Sequence, residues 1–210
     1  MVTIIDYDAG NIMSVANAVR YLGEEVRLSK DPAEILSAER LILPGVGAFG
    51  DAMGRLQAFG LDQTIREAVG RGIPLLGICL GMQLLFDESE ESPGVQGLGL
   101  LRGKILRIPD GDGRKVPQIG WNDLTWNANG GGRLMQGVPE HSYVYFVHSY
   151  YLQAEDPSIV TATTDYGVQI HAAVEKDQLC ACQFHPEKSA ETGLAMLRNF
   201  LRFQKEVPVC

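Results

Sequence analysis

The chain has 210 residues, 45% of them hydrophobic and 21% charged, with a formal net charge of −8. These values suit one compact domain, residues 1–210, and argue against a general nucleic-acid footprint, which needs a basic face. Four cysteines (Cys79, Cys180, Cys182, Cys210) make no dense disulfide framework, and no His or Cys cluster has zinc spacing, so neither a metal nor a cofactor is expected. No apolar run approaches the roughly 20 residues that span a bilayer. Asp6 interrupts the N-terminal apolar stretch too early for a signal peptide, and a cytoplasmic location is the natural reading.

Strand and helix signals alternate in the first half. Val2 to Asp6 reads as a buried strand. Ile12, Val15, Ala16, Val19 and Leu22 follow at helical spacing within 11–22, and Gly23 ends the pattern. A short strand, 26–28, precedes Asp31-Pro32-Ala33-Glu34, which supplies an N-cap, a proline at the first helical position and a glutamate at the third. A strand at 40–43 runs into Pro44-Gly45-Val46-Gly47, a helix spans 61–71, and 73–78 is again a strand. Such alternation implies crossover units and an open, mainly parallel α/β sheet flanked by helices. Later runs at 104–108, 143–147, 159–163, 171–175 and 179–184 read as strands with few helices between them, hence a smaller antiparallel extension. Residues 109–115 and 127–132 have loop chemistry. A closing helix at 190–204, capped by Ser189, would face the core through Leu194, Leu197, Phe200 and Leu201.

The chemistry centres on Gly77-Ile78-Cys79-Leu80-Gly81. An apolar strand enters this turn and an amphipathic segment leaves it, the layout of a nucleophile elbow with a thiol in place of a hydroxyl. Gly77 and Gly81 are expected to clear a substrate's approach to the sulfur. The helix beginning at Leu80 aims N–H groups and its dipole at the same point, which favours a thiolate and an oxyanion. Most free cysteines are simply buried, and that reading holds for Cys180 and Cys182 on their shared strand face. Flanking glycines on a strand-to-helix corner set Cys79 apart.

A thiol nucleophile needs a base. His185 follows the 179–184 strand, Pro186 stops that strand, and Glu187 lies two residues on, able to orient the imidazole. His141 reads as a solvated turn residue, His148 as a pocket edge, and His171 as lacking an orienting acid. The 44–47 turn sits at a strand end, the rim where open α/β sheets bind ligands, and its glycines allow a peptide N–H at Gly45-Val46 to turn toward an oxyanion. No Gly-Lys-Ser/Thr follows, which argues against a nucleotide loop.

Gly77-Ile78-Cys79-Leu80-Gly81-Met82-Gln83 and His185-Pro186-Glu187 resemble the nucleophile and base motifs of triad-type glutamine amidotransferases. Within that class, Tyr7-Asp8-Ala9-Gly10-Asn11, Pro44-Gly45-Val46-Gly47, Gly120-Trp121-Asn122, His148-Ser149-Tyr150 and His185-Pro186-Glu187-Lys188-Ser189 resemble the glutaminase subunits of imidazole glycerol phosphate synthases. The resemblance implies hydrolysis of L-glutamine by Cys79, His185 and Glu187. Leu80 and Gly45-Val46 would form the oxyanion hole. Gln83 and the Ser149-Tyr150 backbone would hold the amino-acid end of the substrate, with Gly47 and His148 in the same pocket. Ammonia would pass to a (β/α)8-barrel cyclase subunit of histidine biosynthesis, docked near Asn11, Trp121, Asn122 and Lys188. Gln118 departs from the histidine that the family commonly has there, a difference of interface detail. Other triad amidotransferases, a γ-glutamyl peptidase and a non-catalytic subunit of the same fold are the rival readings.

Overall fold

The computed structural model describes residues 1–8, 12–111, 113–128 and 130–204, so Asn11 and Cys210 lie outside the described residues. The elements in chain order are β1 (Val2–Ile5), α1 (Ile12–Tyr21), β2 (Val26–Ser29), α2 (Pro32–Leu36), β3 (Leu41–Leu43), α3 (Phe49–Ala58), α4 (Leu61–Gly70), β4 (Leu75–Ile78) and α5 (Leu80–Leu84). The second half comprises β5 (Glu88–Ser89), β6 (Gly103–Arg107), β7 (Gln118–Asp123), β8 (Thr125–Trp126), β9 (Tyr143–His148), β10 (Tyr150–Ala154), β11 (Val160–Asp165), β12 (Gln169–Lys176), β13 (Leu179–Cys182) and α6 (Ala190–Phe200).

Eight strands form the main sheet in the order β2-β1-β3-β4-β13-β12-β11-β8. The first five are mutually parallel, and β12, β11 and β8 extend the sheet antiparallel. β10-β6-β5 and the two-stranded ribbon β7-β9 stand apart from it. The expected mainly parallel sheet with an antiparallel extension is therefore present.

The central strands β1, β3, β4 and β13 are buried along their whole length because both faces are covered. Leu41, Leu43 and Leu75 pack with Phe49, Met53, Leu56 and Ile65 on one side. Their neighbours Ile42 and Leu76 pack with Val15, Val19, Met196, Leu197 and Phe200 on the other. Period-two alternation thus sorts residues of one strand between two cores.

The observed departures have local causes. α2 begins as expected, with Asp31 accepting from Ala33 N at 2.7 Å. α3 carries no such signal: its N-cap, Ala48, has no capping side chain, and the acceptors arrive from far along the chain. Glu91 Oε2 accepts from Phe49 N at 2.7 Å, and Ser92 Oγ from Gly50 N at 2.9 Å. The final helix stops at Phe200 rather than at 204. Ser189 occupies its N-cap position without capping, since its hydroxyl donates to His185 O (2.6 Å) and accepts from Tyr145 N (3.0 Å). Leu197, Phe200 and Leu201 face the core; Met196 joins them, and Leu194 is only half-buried.

Candidate active site

Three chain segments reach the C-terminal edge of the parallel strands side by side, because β3 and β13 flank β4. Residues 44–47 follow β3, Cys79 follows β4, and His185 follows β13 three residues beyond Cys182, the register partner of Ile78. This is the edge at which open α/β sheets place ligands.

Cys79 has φ 55° and ψ −112°, a left-handed backbone that non-glycine residues rarely adopt. Such a conformation costs on the order of 1–3 kcal/mol and persists only where its surroundings fix it. Here they do. Cys79 N donates to Cys182 O at 2.8 Å, and Cys79 O accepts from Met82 N at 3.0 Å.

The glycines have a different task from the expected one. A Cβ on Gly81 would lie 1.8 Å from Leu43 O, and one on Gly77 would lie 2.9 Å from Gly81 O. They let the elbow close on itself and on β3, rather than clearing a path to the sulfur. Gly81→Ala is accordingly expected to destabilise the fold by roughly 3 kcal/mol or more, read as a lowered unfolding midpoint in urea.

His185 Nδ1 lies 2.8 Å from Glu187 Oε1, and both side chains are almost wholly buried. Glu187 sits in a single 3₁₀ turn, Pro186–Lys188, which brings its carboxylate back under the ring. Nε2 is buried, short of a well-formed hydrogen bond, and is the nitrogen left to face the Cys79 thiol. Burial opposes the imidazolium, but the hydrogen bonds and charges of Cys79 and Glu187 outweigh it and lift His185 to about 9. The side chain is thus set to hold a proton beside the sulfur. At rest the thiol points toward Val147 O, 3.9 Å away.

A cavity of about 300 Å³ opens over the sulfur, a size at the lower end for small-molecule sites. Val46, Gly47, Leu80, Gln83, His148, Ser149, Tyr150 and His185 line it, so eight of the expected residues meet around Cys79. Gly45 does not line this cavity. It packs behind the rim, where an added Cβ would lie 2.5 Å from the Tyr7 hydroxyl and 3.0 Å from Gly81 N. His148 is buried and donates from Nδ1 to Tyr150 O at 2.9 Å; burial pushes it down to about 4, so it stays neutral. Gln83 Nε2 donates to the same carbonyl at 3.0 Å.

Tyr7 was legible only as part of a motif, with no role attached, and Glu91 and Pro117 carried no signal. Tyr7 follows β1 and, fully buried, donates to Pro44 O at 2.9 Å, pinning the start of the 44–47 turn. Burial, and then the charge of Cys79, push its hydroxyl well above the usual phenol range. Glu91 and Pro117 line the cavity from loops remote in sequence. Glu91 caps α3 at the same time, so one carboxylate joins that helix to the pocket wall.

Cys180, Cys182, His141 and His171 do not line this cavity. Cys180 and Cys182 are fully buried, which holds both thiols well above their usual range. His171 Nδ1 accepts from Ala154 N at 3.0 Å. His141 is exposed as expected, but it pairs with Asp123 at 3.0 Å.

The ribbon β7-β9 presents Ile119, Trp121 and Tyr143 to solvent at 62%, 52% and 59% exposure, a concentration of large apolar side chains uncommon on a free surface. Trp121 meets Tyr145 edge-on with ring centroids 6.1 Å apart, and the exposed Lys188 stands 6.0 Å above the Tyr145 ring. Asn122 spends its side-chain amide within the chain, donating to Asp165 O at 2.8 Å. Gln118 is buried rather than at the surface. The ribbon is also bonded to the base loop, since His185 N donates to Tyr145 O at 2.9 Å.

Among the described residues, no group of three His, Cys, Asp or Glu could hold a metal ion, and no helix is long and apolar enough to cross a membrane.

A strained cysteine on an elbow, an adjacent histidine and a buried carboxylate thus meet beside one cavity. The family model for glutamine amidotransferase class-I matches residues 3–203, and the chain belongs to that family. The curated relatives are more particular. The chain is 49% identical over 202 residues to the imidazole glycerol phosphate synthase subunit HisH of Dehalococcoides mccartyi, covering 96% of this chain and 97% of the relative. It is 50% identical over 201 residues to the HisH subunit of Methanothermobacter thermautotrophicus, covering 96% and 98%. In fold it resembles a crystal structure of a glutamine amidotransferase, with a TM-score of 0.74 at 22% identity over 95% of this chain and 96% of the other.

Proposed function

We propose that this chain is the glutaminase subunit of an imidazole glycerol phosphate synthase, hydrolysing L-glutamine and passing ammonia to a (β/α)8-barrel cyclase subunit in histidine biosynthesis. The observation that carries the proposal is the Cys79–His185–Glu187 constellation at the mouth of an amino-acid-sized cavity, in a chain half-identical to HisH subunits. Residues 1–210 act as one glutaminase domain, working in the cytoplasm.

In the first half-reaction the Cys79 thiolate attacks the side-chain carbonyl carbon of glutamine, and the C=O electrons move to oxygen. The Leu80 N–H, which at the first turn of α5 has no intrahelical acceptor, and a peptide N–H of Gly45-Val46 receive that oxyanion. The His185 imidazolium protonates the departing nitrogen, releasing ammonia and leaving a glutamyl thioester. In the second half, His185 takes a proton from water, the hydroxide attacks the thioester, and glutamate leaves as the thiolate–imidazolium pair is restored. Glu187 fixes the imidazole tautomer throughout.

At the other end of the cavity, Gln83, Gly47, His148 and the Ser149-Tyr150 backbone hold the substrate's amino-acid end. The Glu91 carboxylate pairs with its α-ammonium.

Ammonia set free in neutral water is protonated and loses its nucleophilicity, so a covered path to the acceptor site is needed. The exposed side chains of Ile119, Trp121 and Tyr143, with Lys188 above the half-buried Tyr145 ring, support docking of the cyclase there. Trp121 and Lys188 lie on that face, and Asn122, bonded to Asp165 O, is on the same strand as Trp121. The direct test is glutamine turnover by the chain alone, then with purified cyclase subunit and its phosphoribulosyl ligand. The expected result is activation of about 10²- to 10³-fold, the value of one oxyanion donor brought into place. Fast turnover by the isolated chain, unaltered by the cyclase, would point instead to a free-standing γ-glutamyl hydrolase.

A further inference from the structure

We infer that Gln183 is a positioning residue for the nucleophile, holding the Cys79 sulfur by a hydrogen bond that gains strength when the thiol ionises. The inference deepens the reading of Cys79 as nucleophile and rests on it.

Gln183 follows Cys182, the last residue of β13, whose register partner Ile78 on β4 immediately precedes Cys79. Its backbone N–H donates to Ala172 O at 2.9 Å, which locks it between β12 and β4. The residue is completely buried. Its side-chain Nε2 lies 3.7 Å from Cys79 Sγ, and its Oε1 accepts from Gln83 Nε2 at 2.9 Å.

The surrounding bonds dictate which end of the amide faces the sulfur. Tyr150 O can only accept, so Gln83 must direct its NH₂ group there. The second hydrogen of that NH₂ goes to Gln183, which must therefore present its oxygen to Gln83. Its own NH₂ is left for Cys79. The same logic spends both hydrogens of Gln83, so its carbonyl oxygen is the atom available to a ligand.

A buried glutamine serving only packing would direct its N–H toward a carbonyl. A neutral thiol is a weak acceptor, whereas a thiolate accepting an N–H makes a charge-assisted bond. The contact therefore offers the sulfur a donor on the side away from Val147 O. Because Gln83 grips the other end of Gln183, the pocket wall and the nucleophile share one chain of hydrogen bonds: Tyr150, Gln83, Gln183, Cys79.

The test compares Gln183→Met, which removes the donor without adding charge, with Gln183→Glu, which keeps an acceptor for Gln83 but puts an oxygen against the sulfur. Both are made in the full chain. Iodoacetamide alkylation is followed at fixed pH against a Cys79→Ala baseline, with glutamine kinetics in the presence of the cyclase subunit. Alkylation and kcat are expected to fall together by roughly 10- to 100-fold, the range spanned by a hydrogen bond to a charged group. KM should stay within about threefold in Gln183→Glu and rise further in Gln183→Met, where Gln83 loses its acceptor. Lowered unfolding midpoints with unchanged alkylation and kcat would overturn the inference and leave Cys79 as nucleophile. A native chain alkylated no faster than Cys79→Ala would overturn both.

Discussion

Replacing Cys79 by alanine is expected to abolish glutamine hydrolysis, by roughly five to six orders of magnitude, while synthesis from added ammonium salts continues in the complex. The size of the loss follows from the unit behaviour of nucleophile and base, where removing either costs nearly as much as removing both. The survival of the ammonium-dependent reaction follows from the division of labour, because the cyclase needs only ammonia, whatever its source. Glutamate formation and imidazole glycerol phosphate formation, measured in parallel with glutamine or ammonium chloride, separate the cases. Glutamate release persisting in Cys79→Ala would move the nucleophile elsewhere. Loss of the ammonium-dependent reaction would mean that the elbow also shapes the path to the cyclase.

The second large effect concerns Glu187. In Glu187→Gln the imidazole keeps a neighbour of the same shape but loses the charge that holds its tautomer, and kcat is expected to drop about 10⁴-fold. A stability signature accompanies it. His185 is lifted from 6.5 to about 9 in the folded chain, so the folded state binds its proton more tightly than the unfolded one does. The resulting stabilisation is fully present below pH 6.5 and is lost as the pH rises through about 9. That difference corresponds to about 3 kcal/mol. Urea unfolding of the native chain should therefore show stability declining between about pH 6.5 and 9, with a shallower decline in Glu187→Gln. Equal slopes for the two proteins would show that the carboxylate does not raise the histidine.

The elbow at Cys79 and the strand-end position of His185 were legible because each is a local pattern: glycines two residues either side of Cys79, and a proline stopping a strand immediately after His185. The parallel sheet was legible through alternation of apolar runs with helical spacing. What escaped was long-range. α3 lacks a local cap because Glu91 and Ser92 supply its acceptors from some forty residues away. β7 contains a glycine and three polar residues, Gln118, Asn122 and Asp123, and becomes a strand only by pairing with β9. The glycines Gly77 and Gly81 were visible, but their reason was not: the carbonyl that excludes a side chain at Gly81 belongs to Leu43, in another strand. Tyr7 is an apolar-looking residue at a strand end until Pro44 O is found beside its hydroxyl.

The left-handed backbone at Cys79 bears on how such a protein drifts under mutation. Glycine is the residue best suited to φ 55°, so a glycine there relieves strain that the native cysteine imposes. The change that most favours the fold at this position is thus one that removes the thiol. A screen rewarding only expression or heat resistance would tend to accept it, whereas an organism that must make its own histidine would discard it. The cysteine stands at this corner against the folding preference of its own backbone, and a lineage supplied with histidine from outside would have little to keep it there.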